Sequence, residues 1–165
     1  MNLLKSLDRG LVRIEGFAAV LFLLVMLLLG FAQVVLRNLF SGGFVWGDVL
    51  LRHMVLWIGF FGAALAASQE RHINIDAITR FLPKRVQSAL HMITNLFAAV
   101  ISYLLFRAAL TFVGFEIEDK HMVFGEIPSL YAEIIIPVGF ALLAIHFLIR
   151  AVLRGTEMAG KADPA

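Results

Sequence analysis

Long apolar runs alternate with short charged stretches along this chain. Met1 to Arg13 is polar and basic, with Lys5, Arg9 and Arg13. Gly16 to Leu36 then runs without a charge, and Gln33 is its only strongly polar side chain. At a helical rise of ~1.5 Å per residue this run spans about 30 Å, the thickness of a bilayer core. A signal peptide is the competing reading, because Gly30-Phe31-Ala32 loosely resembles a small-x-small cleavage site. Signal cores usually run about 7–15 residues, so a retained first helix is expected. Arg37 to Gly47 forms a short loop with Ser41-Gly42-Gly43 at its tip. A second helix starts near Asp48, a candidate N-cap whose partner one turn on is Arg52. It stays uncharged from His53 to Gln69. A third run extends from Val86 past Arg107 to Phe115 and is the most polar of the set. An acidic loop follows over Glu116 to Glu126, and a fourth run covers Ile127 to Ile149 with Glu133 and Pro137 inside it.

In lipid, every backbone polar group must be satisfied within its own segment, so such runs become helices. The pattern predicts an all-α integral membrane fold in one domain, 1–165. Its four transmembrane helices lie at about 14–37, 48–69, 84–113 and 129–150, with a flexible tail over 155–165. Four crossings put both termini on one side. Ten of the 14 lysines and arginines gather there: Lys5, Arg9, Arg13, Arg71, Arg80, Lys84, Arg85, Arg150, Arg154 and Lys161. The positive-inside rule makes that side cytoplasmic.

Between the second and third helices, Ile73, Ile75, Ile78, Phe81 and Leu82 alternate with Asn74, Asp76, Thr79 and Arg80. This predicts a short amphipathic interfacial helix at about 73–82, apolar side down. Arg80, Lys84 and Arg85 would face the membrane surface there, each adding ~1 kcal/mol of attraction to anionic headgroups. Pro83 suits the first turn of the third helix.

Composition sharpens the class. The chain is 61% hydrophobic and 16% charged, against about 45–50% and about 25% in soluble domains. The net charge of +2 does not point to nucleic acid, since the basic residues sit at the ends of apolar runs. No cysteine is present, which removes disulfides, thiolate metal sites and thiol nucleophiles. No zinc-protease, nucleophile-elbow or phosphate-loop motif occurs, so no enzyme chemistry and no cofactor are expected.

Three sets of residues remain as candidates. His91 and His146 fall at similar depth on the third and fourth helices, the arrangement in which a haem is often held. That makes a haem-bearing anchor of a redox enzyme the alternative function. Glu133 lies near the outer end of the fourth helix, at the level of Arg52 and Arg107. An ion pair fastening the outer helix ends is expected among these three, rather than ion coupling. Pro137 should kink the helix four residues on. In the second helix Gly59, Ala63 and Ala67 recur at i, i+4 and i+8, with Gly62 and Ala66 offset by three. Small residues so spaced let helices approach closely in lipid, within the chain or against another protein. Together with Trp57, Gly59, Ala63 and Ala67 are the candidates for a partner interface.

Several motifs in order resemble the small membrane subunit of the tripartite ATP-independent periplasmic (TRAP) transporters. They are Arg37-Asn38-Leu39-Phe40, Trp46-Gly47-Asp48, Gly62-Ala63-Ala64, His72-Ile73-Asn74-Ile75-Asp76 and Leu82-Pro83, followed by the final helix IPSLYAEIIIPVGFALLAIHFLIR. Asp48 stands where that family usually has Glu, Asn38 where it has an aromatic, and Ser68-Gln69-Glu70 is less basic than its usual turn. The resemblance implies a multi-pass protein of the bacterial inner membrane. It would scaffold a large permease subunit that carries the substrate and sodium sites. A periplasmic binding protein would deliver an organic acid to the outer face. The four-helix small subunit of the tripartite tricarboxylate transporters is a similar alternative.

Overall fold

The structure is a computed structural model and describes residues 2–40, 42–44, 46–69, 83–119, 122 and 128–160. Its regular elements are helices: α1 (Asn2–Phe40), α2 (Gly47–Ser68), α3 (Lys84–Asp119), α4 (Leu130–Glu133) and α5 (Ile135–Gly160). Four stretches are long and apolar enough to cross a membrane, namely Ser6–Phe40, Gly47–Ser68, Val86–Asp119 and Leu130–Thr156. α4 and α5 together make the last of them. The chain is therefore an all-α membrane protein, as its apolar runs predict. The amphipathic segment expected at 73–82, Arg80 included, lies outside the described residues. Lys84 and Arg85 open α3, with their side chains also outside that set.

The helices outrun the apolar runs that announce them. α1 begins at Asn2 and has 39 residues, about 58 Å of helix, and the 36 residues of α3 reach about 54 Å. The polar start of α1 contains good helix formers (Leu3, Leu4, Lys5, Leu7, Arg9), so nothing stops the helix at the edge of its apolar run. α5 likewise continues through Gly160, past the point where a loose tail is expected. α2, with 22 residues, is only about 33 Å long. Asp48 lies inside the first turn of α2, and Trp46 takes the N-cap position with no side-chain cap bond.

The last crossing is interrupted where its sequence requires. Pro137 has no N–H to give to the carbonyl of Glu133, four residues back. α4 ends at Glu133, Ile134 forms the joint, and the ladder resumes as Val138 N–H bonds the Ile134 carbonyl at 3.3 Å.

The helices form a row rather than a square bundle. α1 packs chiefly on α2, α2 on α5, and α5 on α3. The α3–α5 seam is the most extensive, and its sequence shows why. Asn95, Ala99, Ser102, Ala109 and Val113 are buried and recur at three, four and seven residues along one face of α3. Mostly small, they let the backbones close up. Ala99 joins Phe147 of α5 and Ala67 of α2 in the core. Gly139 on α5 receives the ring of Phe60 from α2, where a Cβ would overlap it. Phe60 also meets Phe140 edge-on, with centroids 5.1 Å apart.

Candidate functional site

Two features stand out: one uncovered side of α2, and a buried set of charges near the chain ends. On α2, Arg52, Val55, Leu56, Gly59, Gly62, Ala63 and Ala66 are exposed. Met54, Ala64 and Ser68 are buried, and Trp57 and Phe61 are half-buried. At 100° per residue the second set lies about 140–220° round the helix from Gly59. One whole side of α2 is thus covered by the chain's own helices and the opposite side is bare. Arg52, Val55, Leu56, Gly59, Phe60, Ala63, Phe140 and Leu143 line an open groove of about 490 Å³ along the bare side. Among the described residues, nothing beyond the helix's own backbone lies within 4 Å of a Cβ built on Gly59 or Gly62, so the packing of the described residues does not require glycine at either position.

The four expected interface residues therefore separate. Gly59 and Ala63 lie on the bare side. Ala67, about 80° round from Gly59, turns into the core beside Ala99 and Phe147. Trp57, about 160° round, packs inside the chain. Its ring stacks on Phe22 at 5.0 Å, and its indole N–H donates to the Ala132 carbonyl at 2.8 Å. The i, i+4, i+8 spacing drifts by about 40° per step, enough to carry its third member off the face.

The charged set joins α1 to α5. His146 is 0% exposed, with Asp8 at 6% and Glu15 at 2%. The imidazole Nδ1 lies 3.0 Å from Asp8, and Nε2 lies 2.9 Å and 3.0 Å from the two Glu15 oxygens. Arg150, one turn beyond His146, donates to the other Asp8 oxygen at 2.7 Å. The order Glu15, His146, Asp8, Arg150 alternates in sign. A carboxylate only accepts, so the imidazolium, which donates from both nitrogens, completes the ladder. The Asp8–Arg150 bond also brings the first turns of α1 and the later part of α5 to the same end of the row.

This arrangement does not suit a haem. Both ring nitrogens of His146 are taken by carboxylates of α1, and His91 stands half-buried on α3. Among the described residues, no group of three or more His, Asp or Glu is placed to hold a metal ion.

At the other end of the row a second clasp fixes the α1–α2 loop. The Gln33 side chain, buried on α1, accepts from the Phe44 N–H at 3.0 Å and donates to the Phe44 carbonyl at 2.8 Å. Arg37 pairs with Asp48 at 3.0 Å, so the base that meets this acid comes from α1 and not from Arg52. Of the three residues expected to bind the outer helix ends together, Arg52 and Arg107 are exposed on α2 and α3. Glu133 is half-buried at the α4–α5 joint. Ser129 at the head of α4 donates to Glu116 of α3 at 2.5 Å.

Asp8, Glu15 and Gln33 are the residues that sequence reasoning missed. The signal exists. Asp8, Glu15, Phe22 and Gln33 fall within about 40° of one another on a helical projection. A polar stripe on a helix otherwise coated with leucine and phenylalanine is an inward face.

A profile described as "Tripartite ATP-independent periplasmic transporters, DctQ component" matches residues 26–157. A putative TRAP transporter small permease protein of Haemophilus influenzae is 27% identical over 62% of this chain and 64% of its own length. The chain thus spans just under two thirds of that relative. The ectoine TRAP transporter small permease protein TeaB of Halomonas elongata is 24% identical over 92% of this chain and 79% of its own length. The sialic acid TRAP transporter permease protein SiaT of Haemophilus influenzae is 25% identical over 44% of this chain but only 12% of its own length.

Proposed function

This chain belongs to the DctQ component family of the tripartite ATP-independent periplasmic transporters, an inner-membrane family of transporter components, and from that premise we propose that it is a scaffold. It holds a large permease subunit in the membrane, and that subunit carries the substrate and sodium sites. A periplasmic binding protein hands over the substrate, an organic acid. The observation that carries this reading is the bare side of α2. Glycines cost about 0.8–1 kcal/mol each in a helix interior relative to alanine. Gly59 and Gly62 stand at positions where their own chain leaves space. A closely approaching helix of the large subunit accounts for them.

Other features agree. The SiaT relative is much longer than the stretch that matches this chain, so sequence similar to this chain occurs as one part of a longer permease polypeptide. Arg9, Arg13, Arg150 and Arg154 lie toward the end of the row where α1 begins and α5 ends, in keeping with a cytoplasmic position for that end. An ATP-independent importer draws on an ion gradient, for which sodium is the proposed ion. The relatives' names range from ectoine to sialic acid, in keeping with a substrate chosen by the other subunits.

Uptake into vesicles tests the assignment. Vesicles with this chain alone, given an inward sodium gradient, should accumulate no labelled C4-dicarboxylate or sialic acid above empty vesicles. Adding the large subunit and the binding protein should produce sodium-dependent uptake of the cognate solute. Accumulation by this chain alone would remove it from the scaffold class.

A further inference from the structure

The buried ladder of Asp8, His146, Glu15 and Arg150 lies away from the groove yet is built into its wall. α1 and α5 flank α2 and share little other packing, because α1 rests mainly on α2. Across the covered side of α2 they are brought together at two levels. Toward Gly47 the tie is Trp57, between Phe22 of α1 and Ala132 of α4. Toward the chain ends the tie is the ladder. His146 is followed by Phe147, which packs on Ala67 of α2, and Leu143, one turn earlier, both leans on that cluster and lines the groove. A shift of His146 therefore moves two residues that set where α5 stands against α2.

Charges at this depth stay only while they are paired. Removing one member leaves its counter-charge buried, and the helices part to let water reach it. We propose that this ladder is a positioning device for the docking side of α2: by clasping α1 to α5 it holds the row in the arrangement that the large subunit recognises. The inference rests on the docking reading above. Its four residues make no contact with the partner, and assembly depends on them all the same.

The test is co-purification of a co-expressed large subunit through a tag on this chain. Neutralising variants Asp8→Asn, Glu15→Gln and His146→Gln should each lose most of the bound large subunit while the chain still elutes as a single species in detergent. Inverting all four charges together, Glu15→His, His146→Glu, Asp8→Arg and Arg150→Asp, keeps the alternation of sign, and this exchange should restore binding, which a simple loss of packing would not allow. The chain has no cysteine, so spin labels on Phe17→Cys and Leu148→Cys report the α1–α5 distance without background. That distance should broaden in the single variants and narrow again in the exchange. If the single variants aggregate, Arg150→Lys, which keeps the charge but loses the forked geometry, should give partial loss of the partner. Wild-type co-purification by well-folded neutralised variants, or by Arg150→Lys where only that variant folds, overturns the proposal, as does an exchange that narrows the distance without recovering the partner. Gly59→Leu in the same assay separates the two readings. Retained binding there defeats the docking side itself, whereas loss there with retention in the ladder variants defeats only the clasp.

Discussion

Single residues decide how closely these helices meet. Gly139 and Gly114 are both helix-interior glycines, but their surroundings differ. A methyl at Gly139 would overlap the Phe60 ring, including atoms near its backbone, while Gly114 faces open space. Gly139→Ala should therefore push α5 from α2 and cost about 1–3 kcal/mol. Gly114→Ala should be neutral or stabilising by up to about 1 kcal/mol. Thermal unfolding in one detergent reads both, and equal midpoints for the two variants would mean that the Phe60 contact carries no weight. His146 illustrates the converse: a residue read as a candidate iron ligand on its own helix becomes a bridge once its neighbours on α1 are known. Nothing local to α5 announces this, because its partners are 131 and 138 positions away in sequence.

At the level of elements, the sequence is most legible where one physical rule dominates. The need to satisfy backbone groups in lipid predicts the four crossings, and the missing N–H of Pro137 predicts the interruption at Glu133 and Ile134. Helix ends are less legible. Asp8 falls in the polar stretch ahead of the expected first helix and Glu15 at the edge of its apolar run, and both lie on the inward face of α1. The loop between α1 and α2 shows the same inversion. Gln33 reads as an isolated polar residue in an apolar run, and it binds both backbone groups of Phe44. Gln33→Leu keeps the apolar character and removes both bonds. It should cost about 1–3 kcal/mol and speed amide exchange at Phe44, with α2 beyond its first turn unchanged. Unaltered exchange at Phe44 would show that the loop is held by other means, such as the Arg37–Asp48 pair.

For the whole molecule, the decisive difference is between a square bundle and a row. A bundle would hide the small residues of α2 in its centre. In the row, α2 sits between α1 and α5 with one side bare, and the same residues become a surface. The choice between these was not legible in the helix pattern, because Gly59, Ala63 and Ala67 serve either packing equally well on paper. It is settled by contacts between distant segments: Trp57 with Ala132, Phe60 with Gly139, and the Asp8–His146–Glu15–Arg150 ladder. A row with a bare side suits a part that lies against something larger, and the family to which the chain belongs names a transporter of three components. Co-expression with the large permease subunit and purification through a tag on this chain tests that claim most directly. The wild-type chain should carry the large subunit through size exclusion as one complex, and Gly59→Leu or Ala63→Leu should release it while each chain remains folded. A wild-type chain that elutes alone, or a Gly59→Leu chain that retains its partner in full, would contradict the account.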